Sequence, residues 1–186
     1  MPRAQLTKEK VIDAALNLAN TQGLEHLSLK DLAKELNIKP PSLYNHVKNI
    51  AELRLELHKR GLQEFKSLMQ KAIMGQSGEA ALKALAIAYR NFAKENPALF
   101  FASLDTVEDK PELYTLGSEV LEIFSAVFIA FKLKDQALIH AIRTYRAALT
   151  GFIYLELKGS FGMNVSIDES FNQLIEGQLL IFQDPN

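Results

Sequence analysis

The 186-residue chain has no cysteine, which excludes a disulfide framework and any thiolate metal site. Its first residues, MPRAQLTKEK, contain no apolar core, so no secretory signal is visible. No uninterrupted apolar run approaches the roughly 18 residues that span a membrane, and the expected location is the cytoplasm. Alternating apolar and polar runs bounded by turn residues are missing, as is any repeat of fixed period. Nucleophile-elbow, phosphate-loop and dinucleotide fingerprints are absent as well. His140 has no second His or Cys at ligand spacing and His58 lies on an ordinary helix face, so no metal site is visible. Neither an enzyme nor a cofactor is expected.

What is present is helical. Apolar residues make up 48% of the chain and charged residues 23%, an ordinary balance for a soluble globular protein. The net charge of −1 hides an asymmetry: residues 1–60 carry 10 Lys/Arg against 7 Asp/Glu, and residues 61–186 carry 11 against 15. A mildly basic N-terminal segment suits a module that faces phosphates. Thr7 can cap a first helix, with Leu6 and Val11 as a hydrophobic staple and Gly23 as its stop. Asn49 and Glu52 form a cap pair that opens a long helix to about residue 73. Helices follow at 79–95, 111–131, 135–158 and 166–182, with a polar loop at 105–110.

Residues 28–49, SLKDLAKELNIKPPSLYNHVKN, carry the most information. Ser28 and Asp31 stand in a capping-box-like spacing, and Leu29, Leu32, Ala33 and Leu36 supply one apolar face. Asn37 tolerates the left-handed conformation of a sharp helix stop. Pro40 and Pro41 suit only the first turn of a new helix, which buries Leu43 and Val47 and leaves Ser42, Tyr44, Asn45 and His46 exposed. A helix so short, with so few apolar anchors, is built to be presented. The pattern is that of a helix-turn-helix with its recognition element.

An ordered set of residues over 7–57 resembles the DNA-binding domain of the TetR family of bacterial transcriptional regulators. The set is Ala14-Ala15, Gly23-Leu24, Ser28-Leu29, Leu32-Ala33, Pro41-Ser42-Leu43-Tyr44-x-His46, Lys48 and Leu53. Two positions depart from the family pattern: Asn37 replaces the usual turn glycine, and Ile50 stands where a phosphate-binding Lys or Arg is common. The resemblance implies an all-α protein, with an N-terminal three-helix helix-turn-helix domain at 1–48 and an effector and dimerisation domain at 49–186. Residues 49–73 would form the linking helix. It further implies a homodimer on double-stranded DNA, its recognition helices in successive major grooves about 34–36 Å apart. By that resemblance Tyr44 and His46 reach phosphates, Lys39, Pro40 and Ser42 face base edges, and Lys30 and Lys48 lie near the backbone. Asn45 belongs to the same exposed set. Arg3 and Lys8 form either an N-terminal arm or part of a frayed terminus.

The body also resembles a subgroup with a YRxFAxENPxLF-like stretch, here 89–100, and a Gly-x-x-x-Leu-Glu-Leu-x-Gly segment, here 151–159. Tyr89, Phe92, Phe100, Phe124, Phe128, Tyr145 and Phe152 are the candidates for an apolar effector pocket, with plain core packing as the alternative. Arg90, Arg143 and Arg146 either meet an acidic head group or pair with Glu119, Glu122 or Glu156. Dimerisation is expected through the last two long helices, by an apolar set of Leu138, Ile142, Leu149, Ile153, Leu174 and Leu179. The functional expectation is a ligand-responsive repressor without enzymatic activity. Two alternatives stand beside it: a DNA-binding protein controlled by a partner or associated with the nucleoid, and an apolar-ligand-binding protein with a vestigial DNA domain.

Overall fold

The computed structural model describes residues 6–104 and 110–183. Among these residues it forms nine α-helices, two short 3₁₀ turns and no strand. Residues 105–109 of the polar loop expected at 105–110, and Arg3, lie outside the described residues. The chain packs into two compact units, Met1–Glu64 with Asn96–Leu116 and Phe65–Glu95 with Gly117–Asn186. The expected functional boundary at 48/49 is a different kind of division, because packing assigns the start of the linking helix to the first unit.

In the first unit, helix α1 (Lys8–Gln22) opens where Thr7 Oγ1 accepts the Lys10 N–H at 3.3 Å. It stops at Gly23, whose φ of +92° is open to glycine at little steric cost. Helix α2 (Leu29–Glu35) opens at Ser28, whose hydroxyl accepts the Asp31 N–H at 3.1 Å and donates to the Asp31 carboxylate at 2.5 Å. Asn37 adopts the left-handed conformation, φ +50°, and turns the chain into α3 (Pro40–Leu43). Helix α3 is a single turn, because two prolines supply its start and only Leu43 and Val47 anchor its far side. The following α4 (Ile50–Ile73) contributes Leu53 and Leu57 to this core, which also holds Val11, Ala15, Leu32 and Ala33.

Helix α6 (Pro97–Ser103) belongs to the same unit. Asn20 Oδ1 of α1 accepts its Ala98 N–H at 3.0 Å, satisfying one of the donors that a helix start leaves open. Gly61 of α4 lies so near α6 that a Cβ there would stand 2.8 Å from the Leu99 carbonyl oxygen.

The second unit contains α5 (Gly78–Glu95), α8 (Asp135–Leu157) and α9 (Ile167–Gln183), with the later parts of α4 and of α7 (Pro111–Phe128). Together with its following 3₁₀ turn, α7 is one described helix long and apolar enough to cross a membrane by length and composition. Leu113, Val120, Ile123, Phe124, Val127 and Phe128 are nevertheless buried in the protein, and Glu112, Glu119 and Glu122 interrupt the run.

One expectation is corrected here. The apolar set assigned to an intersubunit face turns into its own chain's core: Ile142, Leu149, Ile153 and Leu179 are buried, and Leu138 and Leu174 half-buried. The large apolar residues that α8 and α9 expose are Ile139, Tyr154, Leu155, Leu180 and Ile181. The i, i+3, i+4 pattern identifies an apolar face, but a helix apolar on two sides has two such faces.

Candidate nucleic-acid interface

Lys30, Lys39, Pro40, Ser42, Tyr44, Asn45 and Lys48 are all exposed, and His46 is half-buried. The four-residue α3 is followed by a turn over 44–46, held by the His46 and Val47 N–H groups donating to the Leu43 carbonyl at 2.9 and 3.1 Å. Leu43 and Val47, each 1% exposed, pin this segment from beneath. Tyr44 is 55% exposed, an unusual position for a large aromatic with a polar tip. The eight expected residues thus lie on or beside one presented segment, apart from Lys30 near the start of α2.

Several cations elsewhere in the unit are held within the protein. Lys8 of α1 pairs with Glu56 at 3.0 Å and Glu52 at 3.6 Å. Lys59 pairs with Glu112 and Glu56, and Arg60 with Asp13 and Glu64. Arg54 donates to the Leu24 and Glu25 carbonyls at 3.4 and 3.3 Å. Lys30 and Lys39 are exposed and make no ion pair among the described residues. Lys8, proposed from sequence as a possible arm residue, is instead tied to α4. Lys34 was missed: it is exposed one turn after Lys30, and its i, i+4 spacing is the signal that places it on the same face.

At the start of α4, Asn49 Oδ1 accepts the Glu52 N–H at 2.8 Å, and the Glu52 carboxylate accepts the Lys48 N–H at 2.7 Å. The Lys48 backbone N–H, with Lys8 and Lys48 charges adding to it, holds the Glu52 carboxyl below its ordinary range.

The aromatic candidates of the body are buried, except for Phe152, which is half-buried. Phe65, Tyr89 and Phe92 form one group, with ring centroids 4.6 and 5.3 Å apart, and the Tyr89 hydroxyl lies 2.8 Å from Thr150 Oγ1. Phe128, Tyr145 and Phe182 form another, and the Tyr145 hydroxyl donates to the Leu82 carbonyl at 2.6 Å. Burial pushes both tyrosine hydroxyls upward in pKa. Phe152 stacks near Phe161 and Phe171, while the Arg146 guanidinium lies over Phe124. Phe100 belongs to the first unit, where its ring meets that of Phe101 at 5.4 Å. A cavity of about 210 Å³ in the α8–α9 loop is lined by Phe161, Met163, Val165 and Ile167 and includes none of the seven candidates.

Arg90, 9% exposed, takes the ion-pair alternative. Its guanidinium makes two bonds to Glu156 at 2.7 and 2.6 Å, a third contact to Asp168 at 2.7 Å, and covers the Phe171 ring at 4.7 Å.

Residues 11–57 match the family described as bacterial regulatory proteins, tetR family, and residues 82–177 match the tetracyclin repressor-like C-terminal domain. The chain is 34% identical over 171 residues to the HTH-type transcriptional regulator YobS of Bacillus subtilis (strain 168), covering 92% of this chain and 90% of that one. It is 32% identical over 111 residues to the tetracycline repressor protein class D of Escherichia coli, covering 60% of this chain and 45% of the repressor. Its fold is similar to a crystal structure of a TetR variant from Acinetobacter baumannii AYE in complex with minocycline, with a TM-score of 0.72, 22% identity, and coverage of 96% and 97%.

Proposed function

Because the chain belongs to the TetR family of helix-turn-helix, DNA-binding transcription regulators, we propose that it acts as a homodimeric repressor released from an inverted-repeat operator by a small apolar effector. The observation that carries this reading is the presented segment around α3: Lys30 and Lys39 without ion pairs among the described residues, Tyr44 and Asn45 exposed, and Lys8 and Arg60 of the neighbouring helices paired within the protein. In this reading Lys39, Pro40 and Ser42 read base edges, while Tyr44, His46, Lys30 and Lys48 hold phosphates. Residues 1–48 serve as the DNA-binding domain and 49–186 as the effector and dimerisation domain, working in the cytoplasm.

Dimerisation is assigned to the exposed sides of α8 and α9. Gly151 and Gly177 are exposed there, and a Cβ at either would meet nothing within 4 Å in its own chain. A helical glycine costs up to about 1 kcal/mol relative to alanine, so close approach by a second copy gives both a reason. Tyr154, Leu155, Leu180 and Ile181 supply the apolar contact.

The effector site is assigned to the second-unit aromatics Tyr89, Phe92, Phe124, Phe128, Tyr145 and Phe152. Effector binding would favour a conformer with lower operator affinity, in the ratio of the effector's affinities for the two conformers. A regulator without a small effector is favoured by one observation, the close mutual packing of those rings.

The test is selection of bound duplexes from a random pool at moderate salt. An enriched inverted repeat, bound with an affinity that falls steeply as salt rises, supports the reading. Binding without enrichment supports a nucleoid or partner-controlled role, and absence of binding removes the repressor reading.

A further inference from the structure

We propose that Glu52 is a positioning residue for DNA reading, holding the recognition segment in register and setting the preference for operator over other DNA. The inference rests on the DNA-binding function proposed above. In the usual reciprocal cap, the N3 carboxylate returns to the backbone N–H of the N-cap residue. Here Asn49 is the cap, and its side chain accepts the Glu52 N–H at 2.8 Å. The Glu52 carboxylate reaches one residue further, to the Lys48 N–H, at 2.7 Å.

That extra residue changes what the cap does. Leu43 and Val47 are buried, so the run Tyr44-Asn45-His46, exposed at its first two residues and half-buried at the third, is fixed at its start and underneath. Lys48 is exposed, and the bond to Glu52 fixes its backbone. The reading side chains are therefore bracketed between an apolar anchor and a charge-assisted hydrogen bond. The other carboxylate oxygen lies 3.6 Å from the Lys8 ammonium, so the same group also ties the bracket to α1.

Electrostatics argues in the same direction. A carboxylate bonded to the Lys48 N–H, at the end of the segment proposed to face DNA, opposes phosphate binding. It weakens contact with every duplex alike, so its benefit has to lie in geometry.

Binding of the wild-type chain, Glu52→Ala and Glu52→Gln is measured on the selected operator and on a scrambled duplex of equal length. Glutamine keeps an acceptor for the Lys48 N–H and removes the charge. The expected result is an operator preference about tenfold lower in Glu52→Ala, the size of a lost cap, and within about threefold of wild type in Glu52→Gln. Both variants should bind the scrambled duplex about twofold more tightly, from the lost negative charge. Partial unfolding lowers the active fraction equally for both duplexes and leaves their ratio unchanged. An unchanged ratio in Glu52→Ala overturns the proposal, as does an equal loss in both variants, which would make charge the whole effect. A wild-type chain that prefers no duplex fails earlier and overturns the regulator reading together with this role.

Discussion

Arg90 and Glu156 carry the largest electrostatic stake of the described second unit, because both are almost fully withdrawn from water and share two hydrogen bonds. Hydrogen bonding to Arg90 holds the Glu156 carboxyl below its ordinary 4.5. The unfolded chain therefore takes up a proton before the folded one does as pH falls. Stability from this pair is complete above about pH 4.5 and declines as pH drops through the folded value. Glu156→Gln should cost about 2 kcal/mol at neutral pH and flatten the acid limb of a urea-stability profile taken between about pH 6 and pH 3. On the recognition segment, Tyr44→Phe and His46→Ala should weaken binding to all duplexes similarly, whereas Lys39→Ala and Ser42→Ala should shift the selected sequence. Equal loss of preference in all four would contradict that division. The exposure of the candidate residues around α3 was legible from sequence because anchors and caps are local. The fate of Arg90 was legible only as an alternative, because Glu156 stands 66 residues away.

At the scale of elements, α6 shows how a short helix is held by two features of its neighbours. Asn20→Ala removes the acceptor for the Ala98 N–H and should destabilise the protein by about 1 kcal/mol in thermal or urea unfolding. Gly61→Ala improves intrinsic helix propensity by up to about 1 kcal/mol, yet its Cβ would press on the Leu99 carbonyl at 2.8 Å. Backbone cannot swing aside as a side chain can, so the net expectation is destabilisation by about 1–2 kcal/mol. A more stable Gly61→Ala protein would show that α6 yields easily. Neither contact was readable in the sequence. The seat of α6 against α1 and α4 depends on residues 78 and 38 positions earlier.

For the whole molecule, the exposed glycines of α8 and α9 separate two assemblies. In a monomer, Gly151→Ala and Gly177→Ala fill open space and should stabilise each helix by up to about 1 kcal/mol. In the proposed dimer the added methyl groups meet the second copy. Gly151→Leu combined with Leu180→Lys should then convert the protein to a monomer by light scattering at micromolar concentration. Operator affinity should fall with it, since one half-site alone remains to be held. A wild-type monomer under the same conditions would remove the dimeric reading.

By itself the sequence determined the helical class, the caps at Thr7, Ser28 and Asn49, the left-handed turn at Asn37 and the presented segment from Lys39 to Lys48. Each of these is settled within about one helical turn, by backbone hydrogen bonds and the spacing of a few apolar side chains. Tertiary structure decided which side of α8 and α9 turns inward, which cations are neutralised, and where Phe100 packs. Those outcomes depend on partners distant in the chain. Periodicity can show that a helix has an apolar face, but only packing decides what that face meets.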